Sequence, residues 1–182
     1  MATLRIRTWG DPILKTRARE IDKITDEIRR LSQDMFETMR AEGDGVGLAA
    51  NQVGVGLRLF VVEIAGKNSP SRRYTLVNPK IVAIGKETES QDEGCLSFPG
   101  IFGPVERKRE VEIQGLDLKG KNVTLRGEGL LARVFQHELD HLDGVVFVER
   151  MTMVQRLLLN RPLSELARHT KATLAGRGTP KI

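Results

Sequence analysis

The stretch Gln136-His137-Glu138-Leu139-Asp140-His141 decides how this chain is read. Two imidazoles four residues apart on a helix face the same way with a carboxylate beside them, the HExxH arrangement for holding a divalent metal and activating water. The helix that carries it should span roughly Glu128 to Leu142, with Leu130, Leu131, Val134 and Phe135 as its apolar face and Gly144 as its stop. Those apolar neighbours favour a core-packed helix over one that displays polar groups to water, and buried imidazoles need partners.

The chain has three histidines and one cysteine, and two of the histidines lie inside that pentapeptide. The cysteine, Cys95, sits in Glu93-Gly94-Cys95-Leu96-Ser97. A lone cysteine is usually a small core residue. Here Gly94 allows close backbone approach, and a cysteine with two helix-borne histidines completes the three protein ligands of a catalytic tetrahedral site. Glu93 and Asp140 are both candidates to hydrogen-bond and orient a ligating histidine.

Working outward, Ile24, Ile28, Leu31, Met35 and Met39 share one stripe, so an amphipathic helix is expected from about Thr25 to Ala41, with Thr25 as N-cap and Asp26 and Glu27 in the first turn. Gly43-Asp44-Gly45-Val46-Gly47 breaks it, and residues 57–64 read as a buried strand. Short strands are expected at Tyr74 to Val77, Lys80 to Ile84, Glu110 to Ile113 and Asn122 to Leu125, separated by turn residues. Beyond Phe147 a C-terminal helix is expected, with Asn160 as N-cap, Pro162 in its first turn, and Leu163, Leu166, Ala167, Thr170 and Leu174 on one face. Gly176-Arg177-Gly178-Thr179-Pro180 should end it in a frayed terminus.

A chain of 182 residues is about one domain long. One cysteine excludes an intramolecular disulfide and fits a reducing compartment. Neither a signal peptide nor a run of ~18 apolar residues is present, so a cytoplasmic protein that binds no membrane is expected. The net charge of +5 is uneven: from Arg150 to Ile182 seven Lys or Arg stand against Glu165 alone, a local +6 that leaves residues 1–149 at −1. Such a tail is either a solvated face or a contact for a negatively charged partner.

Three stretches, Gly45-Val46-Gly47-Leu48-Ala49-Ala50-Asn51-Gln52, Glu93-Gly94-Cys95-Leu96-Ser97 and Gln136-His137-Glu138-Leu139-Asp140-His141, together resemble the three signature motifs of the peptide deformylases. The resemblance extends from about Ile6 to about Arg150. It implies an α+β fold, with antiparallel strands around a central HExxH helix and a C-terminal helix: residues 1–150 as the catalytic part, 151–182 as a basic helix and tail of the same domain. The implied activity is hydrolytic removal of the N-formyl group from the initiator methionine of nascent polypeptides.

By the same resemblance Cys95, His137 and His141 are the metal ligands, Glu138 moves the proton, and the Gln52 amide and Leu96 N–H stabilise the oxyanion. The Val46 and Leu96 main chains contact substrate, and Gly47 lets that backbone come close. Arg133 either is solvated or lines the pocket for the first side chain while its guanidinium reaches water. The implied cofactor is one divalent ion, ferrous iron (Fe2+), with Zn2+, Ni2+ or Co2+ able to substitute. The implied partners are formylmethionyl nascent chains and, through the tail, the ribosome; DNA is not among them. A zinc metalloprotease of the HExxH type is the rival reading, and a non-enzymatic binding module centred on the tail is a second.

Overall fold

Ile28, Met35 and Met39 are buried along one face of helix α1 (Asp26–Ala41), as their spacing requires. Asp26 and Glu27 lie in its first turn, against the positive end of the helix dipole. Thr25 occupies the N-cap in an extended conformation, but its side chain makes no capping bond to the backbone. The computed structural model describes residues 3–43, 45–65 and 70–176. Asp44 in the expected helix break, and the expected frayed end beyond Gly176, lie outside the described residues.

Among the described residues seven strands follow: β1 (Gly47–Ala49), β2 (Leu59–Ile64), β3 (Arg72–Ile84), β4 (Thr88–Glu93), β5 (Gly103–Lys108), β6 (Glu110–Leu116) and β7 (Asn122–Glu128). All pair antiparallel, in a five-stranded sheet of order β1-β2-β3-β6-β7 and a two-stranded sheet of β4 and β5. The two strands expected between Tyr74 and Ile84 are one strand with a register shift between Val77 and Lys80. Asn78 there takes a φ of +50°, which a short polar side chain tolerates, and its carboxamide bridges the Ile21 N–H and C=O at 2.9 Å each. The turn residues Asn78 and Pro79 thus mark a bulge and not a break.

The HExxH segment lies on helix α2 (Leu130–Leu142), which ends at Gly144 with φ +75°. Ala132, Val134, Phe135 and Leu142 pack against Phe60, Val62, Leu76 and Ile113. The alternate residues of β2, Leu59 and Val61, join the α1 residues Met35 and Met39. Period-two alternation therefore buries β2 on both faces, between α1 and α2. Leu130 departs from the expected apolar face: it is 52% exposed, because it begins the helix at the rim of a pocket.

A third cluster gathers Phe98, Ile101, Val105, Val146 and Phe147 with Leu163 of the C-terminal helix. That region forms two helices, α3 (Met153–Leu158) and α4 (Asn160–Ala175), and the N-cap of α4 is Leu159, so Asn160 is already helical. Helix α4 is seated through buried Leu163 and Thr170, with the Thr170 hydroxyl 2.7 Å from that of Thr8. Gly10, at φ +107°, lets the N-terminal segment approach Ala167, since a Cβ there would stand 2.8 Å from the Ala167 carbonyl oxygen.

Candidate metal centre

Two elements deliver the three candidate ligands. His137 and His141 project from α2, and Cys95 sits in the turn after β4, closed by the Phe98 N–H donating to the Cys95 carbonyl at 2.8 Å. The three side chains offer ligand atoms within 4.8 Å of one another, with Cys95 Sγ 3.2 Å from His141 Nε2. Of the two carboxylates the sequence left open, Glu93 is the one on His137: its Oε2 lies 2.9 Å from Nδ1, which leaves Nε2 for an ion. Asp140 instead faces Arg107 and Arg150.

The donor set fits a divalent metal. Thiolate and imidazole suit zinc and iron, and three ligands on two rigid elements leave a coordination position open. Glu138 Oε2, which lines the pocket, is buried without a hydrogen-bond partner among the described residues, an arrangement that is costly unless the site holds a further group. Burial pushes the Glu138 carboxyl up to about 7, with His137 and Arg107 pulling against the shift and Glu93 adding to it. Burial opposes charging His137, yet contacts with Cys95 and Glu93 hold it well above the ordinary histidine value. His141 is held well below that value by burial and by the neighbouring His137 charge. An ion requires both imidazoles neutral and the thiol ionised, so its binding displaces protons from this cluster.

Gln52, in the helical turn Ala50–Val53, is oriented by the Ala49 N–H, which donates to its Oε1 at 2.8 Å. The amide Nε2 therefore faces the site, 3.3 Å from Cys95 Sγ and 3.2 Å from Ser97 Oγ. Gly47 lies where β1 crosses α2, and a Cβ there would overlap the Glu138 carboxylate and Val134. The Val46 carbonyl accepts from the Glu63 N–H at 2.9 Å, so that half of its main chain is already engaged.

Arg133 does line the pocket, but its guanidinium does not reach water. It donates to Glu93 Oε1 at 2.7 Å, the Val105 carbonyl at 2.9 Å and the Glu89 carbonyl at 2.7 Å, and the residue is 6% exposed. The pocket occupies about 470 Å³, lined by Val46, Leu96, Phe102 and Leu130 together with Gln52, His137 and Glu138. Sequence reasoning brought together the ligands, Glu138 and Gln52. It missed Arg107, which pairs with both Glu93 and Asp140; the only signal was that two carboxylates beside a buried metal site must find cations.

The family model described as polypeptide deformylase matches residues 3–157. A peptide deformylase of Desulforudis audaxviator is 47% identical over 86% of this chain and 98% of its own length. One from a Thermotoga species is 44% identical over 92% and 98%. Among solved structures, a plant peptide deformylase superposes with TM-score 0.89 at 37% identity, over 98% of this chain and 96% of that one. The Thermotoga maritima enzyme superposes with TM-score 0.78 at 41% identity, over 84% and 99%. Matches of that extent in both sequence and fold leave one conclusion: the chain belongs to the polypeptide deformylase family.

Proposed function

We propose that the family reaction, hydrolysis of the formyl group from the initiator methionine of nascent polypeptides, runs here at the site built by Cys95, His137, His141 and Glu138. The observation that carries this reading is the pairing of the Cys95, His137 and His141 cluster with the buried Glu138 carboxyl inside one pocket. A bound divalent ion supplies Lewis-acid activation of water, whose pKa falls toward about 7. Glu138 takes the proton of the attacking water and then delivers a proton to the departing amine nitrogen. The Gln52 amide and the Leu96 N–H donate to the oxygen on which negative charge develops.

Val46, Gly47 and Arg133 shape the space for substrate. β1 is the edge strand of its sheet, and Gly47 keeps that edge close to Glu138, so an extended peptide can be laid beside it. We assign ferrous iron as the ion, with Zn2+, Ni2+ or Co2+ as substitutes that the same thiolate and imidazole donors accept. The proposed compartment is the cytoplasm, where Cys95 stays reduced. Among the described residues, no helix is long and apolar enough to cross a membrane. The basic tail is the proposed ribosome contact: Arg150 pairs with Asp140 and Arg161 with Glu165, while Arg156, Arg168 and Lys171 are exposed.

Formate release from a formyl-Met peptide tests the reaction, with the unformylated peptide as comparison. Formate and free methionyl amine are expected. Cleavage of the peptide bond in either substrate would restore the metalloprotease reading, and bound metal without hydrolysis would restore the binding module.

A further inference from the structure

Arg107 lies on β5, outside the three signature stretches, and is 6% exposed. Its guanidinium grips Glu93 with a fork, Nε to Oε1 at 2.9 Å and Nη2 to Oε2 at 3.1 Å, and reaches Asp140 Oδ2 through Nη1 at 2.5 Å. Glu93 Oε2 is also the oxygen beside His137 Nδ1. Glu93 ends β4, two residues before Cys95, and Asp140 precedes His141 on α2. One planar group thus joins the two elements that bring the thiolate and the imidazoles together.

We propose that Arg107 is a positioning residue of the metal centre: it fixes the carboxylate that orients the His137 ring and locks the turn of Cys95 to the helix of the two histidines. Charge balance alone does not require it, because Arg133 already neutralises Glu93 through Oε1 and Arg150 already pairs with Asp140. Arg133, itself on α2, already ties that helix to Glu93 through Oε1; what Arg107 adds is a hydrogen bond to Oε2, the oxygen beside His137, and a second tie that runs from Glu93 to Asp140 next to His141. Nor is fold stability a sufficient reason for such a cluster, since buried ion groups are often no more stabilising than apolar side chains of the same volume. A lysine would keep the charge but, as a single ammonium, could not fork to Glu93 and reach Asp140 together.

The inference rests on the ligand set of the proposed function, and the test separates the two. Metal-free full-length protein is titrated with Co2+ against a chelator of known affinity, for the parent, Arg107→Lys and Arg107→Gln, and the ligand-field absorption and metal-free thermal unfolding are recorded. The parent should take up one ion; if it takes up none, the ligand set itself fails. Both variants should keep a cooperative metal-free transition yet bind Co2+ roughly 10–100-fold more weakly, with displaced absorption bands. Equal affinity and an unchanged spectrum in the variants would overturn the role of Arg107. Loss of the metal-free fold in both variants would make it a structural residue and overturn it equally.

Discussion

Cys95 could be singled out in the sequence because cysteine is scarce here and its neighbours are glycine and a carboxylate; its closeness to His141 depends on the fold. A neutral hydroxyl is a much poorer ligand than a thiolate, so Cys95→Ser should strip most of the metal at equal chelator concentration and most of the turnover with it. Metal analysis after dialysis checks this, and tight retention of the ion would return Cys95 to the core. His137 and His141 were legible because a helix places every fourth residue on one face, and Glu138 because it stands next to the first of them in that pattern. The guanidinium contacts of Arg133 were not, because they reach back to Glu89, Glu93 and Val105 on the two-stranded sheet. Nothing periodic encodes such a pairing, and Arg107 was missed for the same reason.

At the scale of elements, legibility followed burial. Helices α1 and α2 and strand β2 carry apolar side chains at the period of their structure and were read within a few residues. Strands β4 and β5 were missed: Thr88-Glu89-Ser90-Gln91-Asp92-Glu93 has no apolar alternation, because only Glu93 is buried and the pair forms a separate small sheet. Glu63 joins three elements, accepting on β2 from Arg40 of α1 at 3.0 Å and from Arg73 of β3 at 2.8 Å, with the Ser71 hydroxyl at 2.8 Å. Burial alone would raise its carboxyl, but bonds from Arg73, Ser71 and Arg40 outweigh it and set the group below the ordinary 4.5. A depressed carboxyl contributes stability that is present above its unfolded value and lost as pH falls through the folded one. Glu63→Gln should therefore lower stability at neutral pH and flatten its decline below about pH 4.5, as urea unfolding across acidic pH would show. A variant as acid-sensitive as the parent would remove Glu63 from that role.

For the whole molecule, an α+β fold with antiparallel strands and the HExxH helix was legible, because three motifs and the strand pattern agreed. The C-terminal helix was legible as an element but not in its attachment. Leu163 enters the cluster of Phe98 and Ile101, so deleting the tail would open the core as well as remove charge. Charge reversal at exposed residues is the cleaner probe of ribosome contact. Arg168→Glu with Lys171→Glu should weaken co-sedimentation with ribosomes and reduce its salt dependence, while hydrolysis of a short formyl peptide stays unchanged. Unaltered co-sedimentation would make the basic face a solvated one. The central claim, that three ligands hold an ion while Glu138 moves the proton, is tested most directly by metal content and turnover measured on one preparation of Glu138→Gln. The amide is nearly isosteric, so one ion per chain should remain while turnover of a formyl-Met peptide falls by at least ~10²–10⁴-fold. Loss of the ion would make Glu138 part of the metal's support, and full activity would place the base elsewhere; either result contradicts the account.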